Sequence, residues 1–319
     1  MFSLLNFNFK QPEANTLYDF IIVGGGPAGI TAAIYAARKN LEILLLTKDL
    51  GGQVLLTGEI ENYLGFQSIT GKELVEKFTY HLNYFPIALG LGTEVKGIRK
   101  EENIFYVKTT EDKEYKSKVV IIATGRSPKP LNLKNEKELL GRGVSYCATC
   151  DAPLFKNKDT AVIGGANSAV TSALELAKVC QKVYLVVRSE IKADPILVEK
   201  LKKFNNVTIL LKHLPKSILG NEKVEGLLLH DLANDKEYEI KVSGVFIEAG
   251  MKPNTDFLKG FLNLNEKGEI VINCNCETNI PGIFACGDCT AIEDKQIIIA
   301  CGEGAKASLK GYKYLISQK

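Results

Sequence analysis

The chain has 319 residues, 45% of them hydrophobic and 24% charged, enough to bury one large core or two of ordinary size. Its 40 basic and 37 acidic side chains alternate to a formal net charge of +3 with no basic block of the kind that tracks a phosphate backbone, so nucleic acid is not indicated as a partner. Eight cysteines in a chain this long, starting without a secretory signal pattern, point to a reducing, cytoplasmic setting rather than a disulfide-stapled scaffold.

In chain order, Met1 to Thr16 has no basic n-region, no sustained apolar core and no small-residue cleavage site, and reads as a loose extension. Phe20 to Ala37 carries no charged residue, yet the cluster Gly24-Gly25-Gly26-Pro27 at its centre fits a strand-to-helix turn better than a membrane span. No transmembrane segment is expected. The segment reads as a strand over Tyr18–Val23, a glycine loop Gly24-Gly25-Gly26-Pro27-Ala28-Gly29, a helix through about Lys39 and a strand over Ile43–Leu46. About 140 positions later the pattern repeats: strand Thr160–Ile163, loop Gly164-Gly165-Ala166-Asn167-Ser168-Ala169, helix through about Val179, strand Val183–Val187. Further strand-like runs, Val119–Ala123, Gly244–Ala249 and Gly282–Ala285, each stop near a glycine turn. The implied architecture is α/β, two Rossmann-like three-layer domains, with a second unit of about 127–250 inserted into a first built from 1–126 and 251–319.

The first loop has the Gly-x-Gly-x-x-Gly spacing directly between a strand and a helix, the context that makes this pattern specific for a dinucleotide. The first glycine permits the tight turn, the second lets backbone approach a pyrophosphate, the third lets helix and strand pack, and the helix N-terminus supplies N–H donors. An acid that would hold the adenosine ribose is missing from the end of the second strand, where the chain has Thr47, so that ribose must be held differently.

Cys147-Ala148-Thr149-Cys150-Asp151 has the spacing that lets two thiols close a small ring, a redox motif; half of a zinc site is the alternative, but no second pair follows at finger distance. Asp151 beside the pair is a candidate proton donor or acceptor for thiol–disulfide exchange. Cys274, Cys276, Cys286 and Cys289 could on spacing alone hold zinc or an iron–sulfur cluster, but Cys286 and Cys289 bracket Gly287-Asp288, which has its own explanation, and no metal is assigned. Cys180 and Cys301 read as small core residues, and His81, His213 and His230 as structural.

Taken together these segments resemble the low-molecular-weight thioredoxin reductase family, the class II FAD-dependent pyridine nucleotide-disulfide oxidoreductases. The resemblance runs over nearly the whole chain: Gly24 to Gly29, Gly51-Gly52-Gln53, Glu61-Asn62-Tyr63, Ala123-Thr124-Gly125, Cys147 to Asp151, and Gly287-Asp288 followed by Gln296. It implies a homodimeric thioredoxin-disulfide reductase with FAD in the domain made from the chain ends, contacted by Gly24, Gly25, Gly26, Pro27, Ala28, Gly29, Gly52, Gln53, Asn62, Val95, Ala123, Thr124, Gly125, Gly287, Asp288, Lys295, Gln296 and Ile297. Asp288 would hold the ribityl-phosphate portion, and the residues after it would approach the isoalloxazine through their backbone; the family usually has Arg where this chain has Lys295. By the same carry-over Cys150 meets the flavin, Cys147 attacks the disulfide of a thioredoxin or glutaredoxin-like partner, and Asp151 handles the proton. One domain would rotate against the other about hinges near Gly125–Pro130 and Ala249–Pro253.

The second loop departs from this pattern. Ala166 stands where a glycine would let the pyrophosphate come closest, and the His-Arg-Arg stretch of NADPH-using members is replaced by Val187-Arg188-Ser189, leaving Arg188 with Lys192 four residues on. Gly164, Gly165, Asn167, Ser168 and Arg188 remain the candidate nicotinamide-nucleotide contacts. Arg188 with no acid at the strand end favours NADPH over NADH as donor, and ferredoxin is the alternative that an eroded second loop leaves open. A ferredoxin–nicotinamide reductase with an incidental cysteine pair and a non-catalytic flavin redox sensor are the competing readings.

Overall fold

The computed structural model describes residues 9–57 and 59–318. They divide into two compact units, one of residues 1–127 with 252–319 and one of residues 128–251. The chain passes between them twice, at short segments Arg126–Pro128 and Met251–Pro253 that pair as a two-stranded ribbon.

The first unit is built on strand Leu17–Gly25, flanked in parallel by Ile43–Leu50 and Glu114–Ile122. Ala88–Leu91 extends the sheet beyond Ile43–Leu50, Ile283–Ala285 pairs in parallel with Glu114–Ile122, and Ile104–Thr109 and Val95–Glu101 continue it antiparallel. From Phe20 to Val23 the central strand is an unbroken apolar run because both its faces are covered there. Phe20 and Ile22 enter one core cluster and Ile21 and Val23 the other, the period-2 alternation of a strand. Over the first cluster lies helix Ile297–Ser317, whose buried positions Ala300, Glu303, Gly304, Ala307, Ser308, Gly311 and Leu315 form one narrow stripe. Gly304 is needed there: a Cβ would stand 2.1 Å from the Ala28 carbonyl oxygen of helix Pro27–Ala37. Helix Gly71–Asn83 starts at a reciprocal capping box between Thr70 and Glu73.

The second unit holds five parallel strands in the order Val144–Ser145, Gly244–Ile247, Asp159–Ile163, Lys182–Val187 and Val207–Leu211. Helix Asn167–Ala177 packs on this sheet, and a three-stranded antiparallel sheet, His213–Leu219 to Lys236–Ile240, completes the unit. Both units thus have the expected Rossmann-like form; the helices stop two residues early, at Ala37 and Ala177, and one strand at Ile247, whereas the strands expected over Ile43–Leu46 and from Val119 extend to Leu50 and back to Glu114.

The extension needs correction. Residues 1–8 lie outside the described residues, but from Phe9 the chain is anchored: Phe9 packs on the first core, Lys10 donates its N–H to the Ile87 carbonyl at 3.2 Å, and its own carbonyl accepts the Leu89 N–H at 3.0 Å. A two-bond edge bridge of this length leaves no periodicity to read. Among the described residues no helix is long and apolar enough to cross a membrane.

Candidate active site and nucleotide loops

The first glycine loop turns at Gly24, whose φ of +111° and whose absent Cβ, which would lie 2.3 Å from the Ala123 carbonyl oxygen, both require glycine. Gly25 packs under the end of the second strand, and its N–H donates to the Thr47 Oγ1 at 2.8 Å, which in turn donates to the Asp49 carbonyl at 2.6 Å. Thr47, where a ribose-binding acid is missing, therefore braces the loop. Gly29 leaves no room for a methyl group, since its Cβ would overlap the Gly24 carbonyl oxygen at 1.8 Å. Gly26 is different: a Cβ built there meets nothing within 4 Å. No neighbour in the chain demands glycine at 26. The following helix begins at Pro27 with no side-chain cap and no acid in its first turn, so its N–H groups are available to an anion. An open cradle at an uncapped helix N-terminus fits a dinucleotide pyrophosphate.

Around this loop the structure gathers most of the sequence-predicted contacts within the first unit. Gln53 donates from Nε2 to the Asp288 carboxylate at 3.3 Å, and Gly125 and Gly52 lie beside Gln53 and Gly26 respectively. Gly287, at φ +74°, sets its Cα against Ala28, and its N–H donates to the buried Glu303 carboxylate at 2.7 Å. Burial pushes both Asp288 and Glu303 carboxyls above the ordinary range. Asn62 donates to the Gln296 side chain at 3.2 Å, at the start of the helix that Ile297 opens. Lys295 donates to the Thr290 carbonyl at 2.6 Å. Ala123 and Thr124 follow strand Glu114–Ile122 opposite Gly24, the Thr124 carbonyl accepting from the Asn254 amide at 2.9 Å. Val95 stands apart, its side chain in the second core cluster, so only its backbone is available to a ligand. Glu303, Arg126 and Glu269 are not legible in the sequence: Arg126 and Glu269 meet across 143 positions, Glu303 reaches Gly287 across 16, and only Gly302-Glu303-Gly304 offers a local hint.

In the second unit Cys147 and Cys150 form a disulfide. Cys147 is the N-cap of the short helix Ala148–Asp151, and the Cys150 N–H donates to the Cys147 sulfur at 3.1 Å. The Ser145 hydroxyl accepts the Cys147 N–H at 3.0 Å and donates to the Cys147 carbonyl at 3.2 Å, fixing the backbone that leads into the pair. The preceding Tyr146 donates to Glu136 at 2.5 Å, and this buried carboxylate also accepts the N–H groups of Leu131 and Leu133, tying the redox segment to the loop ten residues upstream. Burial and Glu136 together hold the Tyr146 phenol well above its ordinary pKa. Thr149, between the cysteines, donates to Glu175 at 2.9 Å, and Asp151 is half-buried at the helix end.

The second glycine loop has the same turn. Gly164 adopts φ +150° with its missing Cβ 2.4 Å from the Glu248 carbonyl oxygen, and the Lys192 N–H reaches the Gly165 carbonyl at 2.6 Å, as the Gly51 N–H reaches Gly25 at 2.8 Å in the first unit. Ala166 adopts φ −97° and ψ −176°, against −75° and −176° at Gly26, so its methyl group stands in the space that Gly26 leaves open. The Asn167 amide donates to the Asp194 carboxylate at 3.1 Å and accepts the Asp194 N–H at 2.8 Å, which brings a negative charge beside the helix start. Ser168 and Ser172 hydrogen-bond Glu248, whose carboxyl burial holds above its ordinary range. Arg188 is exposed one residue past strand Lys182–Val187.

Among the described residues no group of three or more His, Cys, Asp or Glu side chains could hold a metal. Cys276, Cys286 and Cys289 are buried, Cys289 donating to the Ile122 and Cys286 carbonyls, and burial pushes the Cys276 thiol up to about 11. Cys180 is buried in the second unit's core and Cys301 is half-buried 3.7 Å from the Tyr63 hydroxyl. His213 and His230 contact the Leu211 carbonyl and the Asp235 carboxylate, and His81 lies against Phe85.

The family model for pyridine nucleotide-disulphide oxidoreductases matches residues 18–308. A curated relative, the F component of alkyl hydroperoxide reductase from Staphylococcus aureus, is 41% identical over 311 residues, covering 97% of this chain. The chain spans 60% of that relative's length. Among solved structures, thioredoxin reductase of Lactococcus lactis is similar at 36% identity and a TM-score of 0.91, covering 94% of this chain and 99% of that one. A ferredoxin-flavin thioredoxin reductase of Clostridium acetobutylicum is similar at 34% identity and a TM-score of 0.51, covering 97% and 100%.

Proposed function

The chain belongs to the pyridine nucleotide-disulphide oxidoreductase family, and from that premise we propose that it is a thioredoxin-type disulfide reductase that takes electrons through FAD to the Cys147–Cys150 pair. The observation that carries this reading is the disulfide at a helix N-terminus in a chain whose first glycine loop is open and uncapped. Bound FAD supplies a two-electron carrier suited to dithiol chemistry. Gly24 to Gly29 would hold its pyrophosphate, Asp288 and Gln53 the ribityl-phosphate portion, and the Lys295–Ile297 backbone would face the ring system, with Gly52, Asn62, Val95, Ala123, Thr124, Gly125 and Gly287 completing the walls.

In the reduced pair the Cys150 N–H that now reaches the Cys147 sulfur favours its thiolate, as a helix N-terminus does. That thiolate attacks one sulfur of the partner's disulfide, and the other partner sulfur leaves, taking the Cys150 thiol proton relayed through the Asp151 carboxylate. Cys150 then attacks the Cys147 sulfur of the mixed disulfide, releasing the second partner thiolate, which takes up a proton from solvent, and restoring the Cys147–Cys150 bond. The balance is two electrons and two protons passed to the partner, a thioredoxin or glutaredoxin-like protein. A homodimer is part of the reading: Ile298, Leu309 and Ile316, spaced eleven and seven apart, make an exposed apolar stripe on the last helix.

For the donor we favour NADPH, because Arg188 follows a strand that ends without an acid and a guanidinium suits a 2′-phosphate. A second reading, a ferredoxin-type donor, is favoured by the Ala166 methyl group and the Asp194 charge at the nicotinamide-nucleotide loop, and by the likeness to a ferredoxin-flavin thioredoxin reductase. Anaerobic bleaching of the flavin by NADPH, NADH and reduced ferredoxin in turn separates them; bleaching by ferredoxin alone removes the NADPH reading. The core proposal is tested by Cys150→Ser, expected to abolish disulfide reduction while flavin stays bound. Retained turnover would overturn it.

A further inference from the structure

A buried ion cluster in the first unit takes no part in the thiol chemistry. Glu269 is 6% exposed and receives the Arg126 guanidinium in an ion pair, the Lys295 ammonium at 3.6 Å and the Asn265 amide at 2.7 Å. Burial pushes its carboxyl up, but the Asn265 hydrogen bond and the two cations outweigh that and hold it below the ordinary range. Each cation also grips the turn that carries Asp288. Arg126 donates from Nε to the Asp288 carbonyl at 3.0 Å, and Lys295 donates to the Thr290 carbonyl at 2.6 Å. A single carboxylate therefore anchors two positive charges that hold the backbone at Asp288 and two residues after it. Asp288 itself feels both cations, which oppose the effect of burial on its carboxyl.

Isolated charges buried to this depth are costly, and an ion pair replaced by apolar residues of the same shape is often no less stable. Stability alone does not explain why three charges meet at this turn. Resting on the flavin reading above, we propose that Arg126 and Glu269 are positioning residues for the flavin: they fix the Asp288 turn in its binding geometry, and the balance of their charges tunes the flavin's reduction potential. Positive charge near a flavin favours its electron-rich reduced form, and negative charge opposes it. Arg126 and Glu269 must then act in opposite directions on potential although both support the same turn.

The experiment uses the full-length flavin-loaded protein and its apo form with added FAD. Arg126→Gln is expected to weaken FAD binding about 10-fold, the worth of one charge-assisted hydrogen bond, and to shift the midpoint potential negative. Glu269→Gln is expected to weaken FAD binding as well but to shift the potential positive. Arg126→Lys should restore the potential with only partial recovery of affinity, because it keeps the charge and loses the fork geometry. If Arg126→Gln does not fold, Arg126→Lys and Glu269→Gln carry the test. Variants that melt earlier yet bind FAD with wild-type affinity and potential would overturn the proposal, leaving the cluster a structural brace. Potential shifts of the same sign in Arg126→Gln and Glu269→Gln would overturn the charge-balance part. A wild-type protein that binds no flavin would instead defeat the functional reading beneath it.

Discussion

The two glycine loops are built to one plan and differ where a ligand would sit. Both turn on a glycine of positive φ against a neighbouring strand end, both hold their second glycine under a loop N–H, and both open a helix with no side-chain cap. At the third position the first loop has Gly26 facing open space and the second has the methyl group of Ala166. The first helix starts with no acid in its first turn, whereas the second has the Asp194 carboxylate hydrogen-bonded to Asn167. Fold and ligand impose separate demands on such a loop, and a chain can satisfy the first while relaxing the second.

Substitutions can pull those demands apart. Gly29→Ala, forced into the Gly24 carbonyl, should cost about 3 kcal/mol of stability, with denaturant melts reporting the loss and little folded protein recovered. Gly26→Ala gives the first loop the methyl group of the second. It should leave the melt in urea unchanged and weaken FAD binding about 10-fold or more, read by flavin content after dialysis; a protein that keeps its full flavin would break the comparison. The converse, Ala166→Gly, should lower the KM for NADPH by about 10-fold, one methylene's worth of pocket discrimination, with kcat little changed; no change in KM would favour a non-nucleotide donor.

The smallest effect concerns Glu248. Burial raises its folded pKa above the unfolded value, so the protonated carboxyl is favoured by folding and that stability is lost as pH rises through the raised pKa. Glu248→Gln should therefore melt about 2 °C higher than the parent at pH 8, and the advantage should vanish near pH 4. An advantage that grows on acidification would show the sign to be wrong.

Spacing within a few residues is enough to identify both loops and the cysteine pair, because a glycine turn between strand and helix and a two-residue gap between thiols are local constraints. Contacts that close over long stretches of chain are not legible. Arg126 meets Glu269 across 143 positions, and the Thr47 hydroxyl serves Gly25 from 22 positions away. Neither residue belongs to a motif whose chemistry announces it. Nothing in the sequence marks Tyr146 beside Cys147, yet its link to Glu136 helps to hold the redox segment. The edge pairing at Lys10 escapes for the opposite reason, since two hydrogen bonds are too few to impose a period.

The interleaving of the two units fixes an order of assembly. A ribosome completes residues 128–251, one contiguous unit, while the first unit still lacks strand Ile283–Ala285, the Asp288 turn and the long last helix. Domains fold as they emerge, so the inserted unit is the one that can mature first. The earlier-made half of the other must wait, with the edge of strand Glu114–Ile122 that Ile283–Ala285 will cover still bare. Chaperone demand should peak in that interval, and flavin capture belongs to the final moments of synthesis.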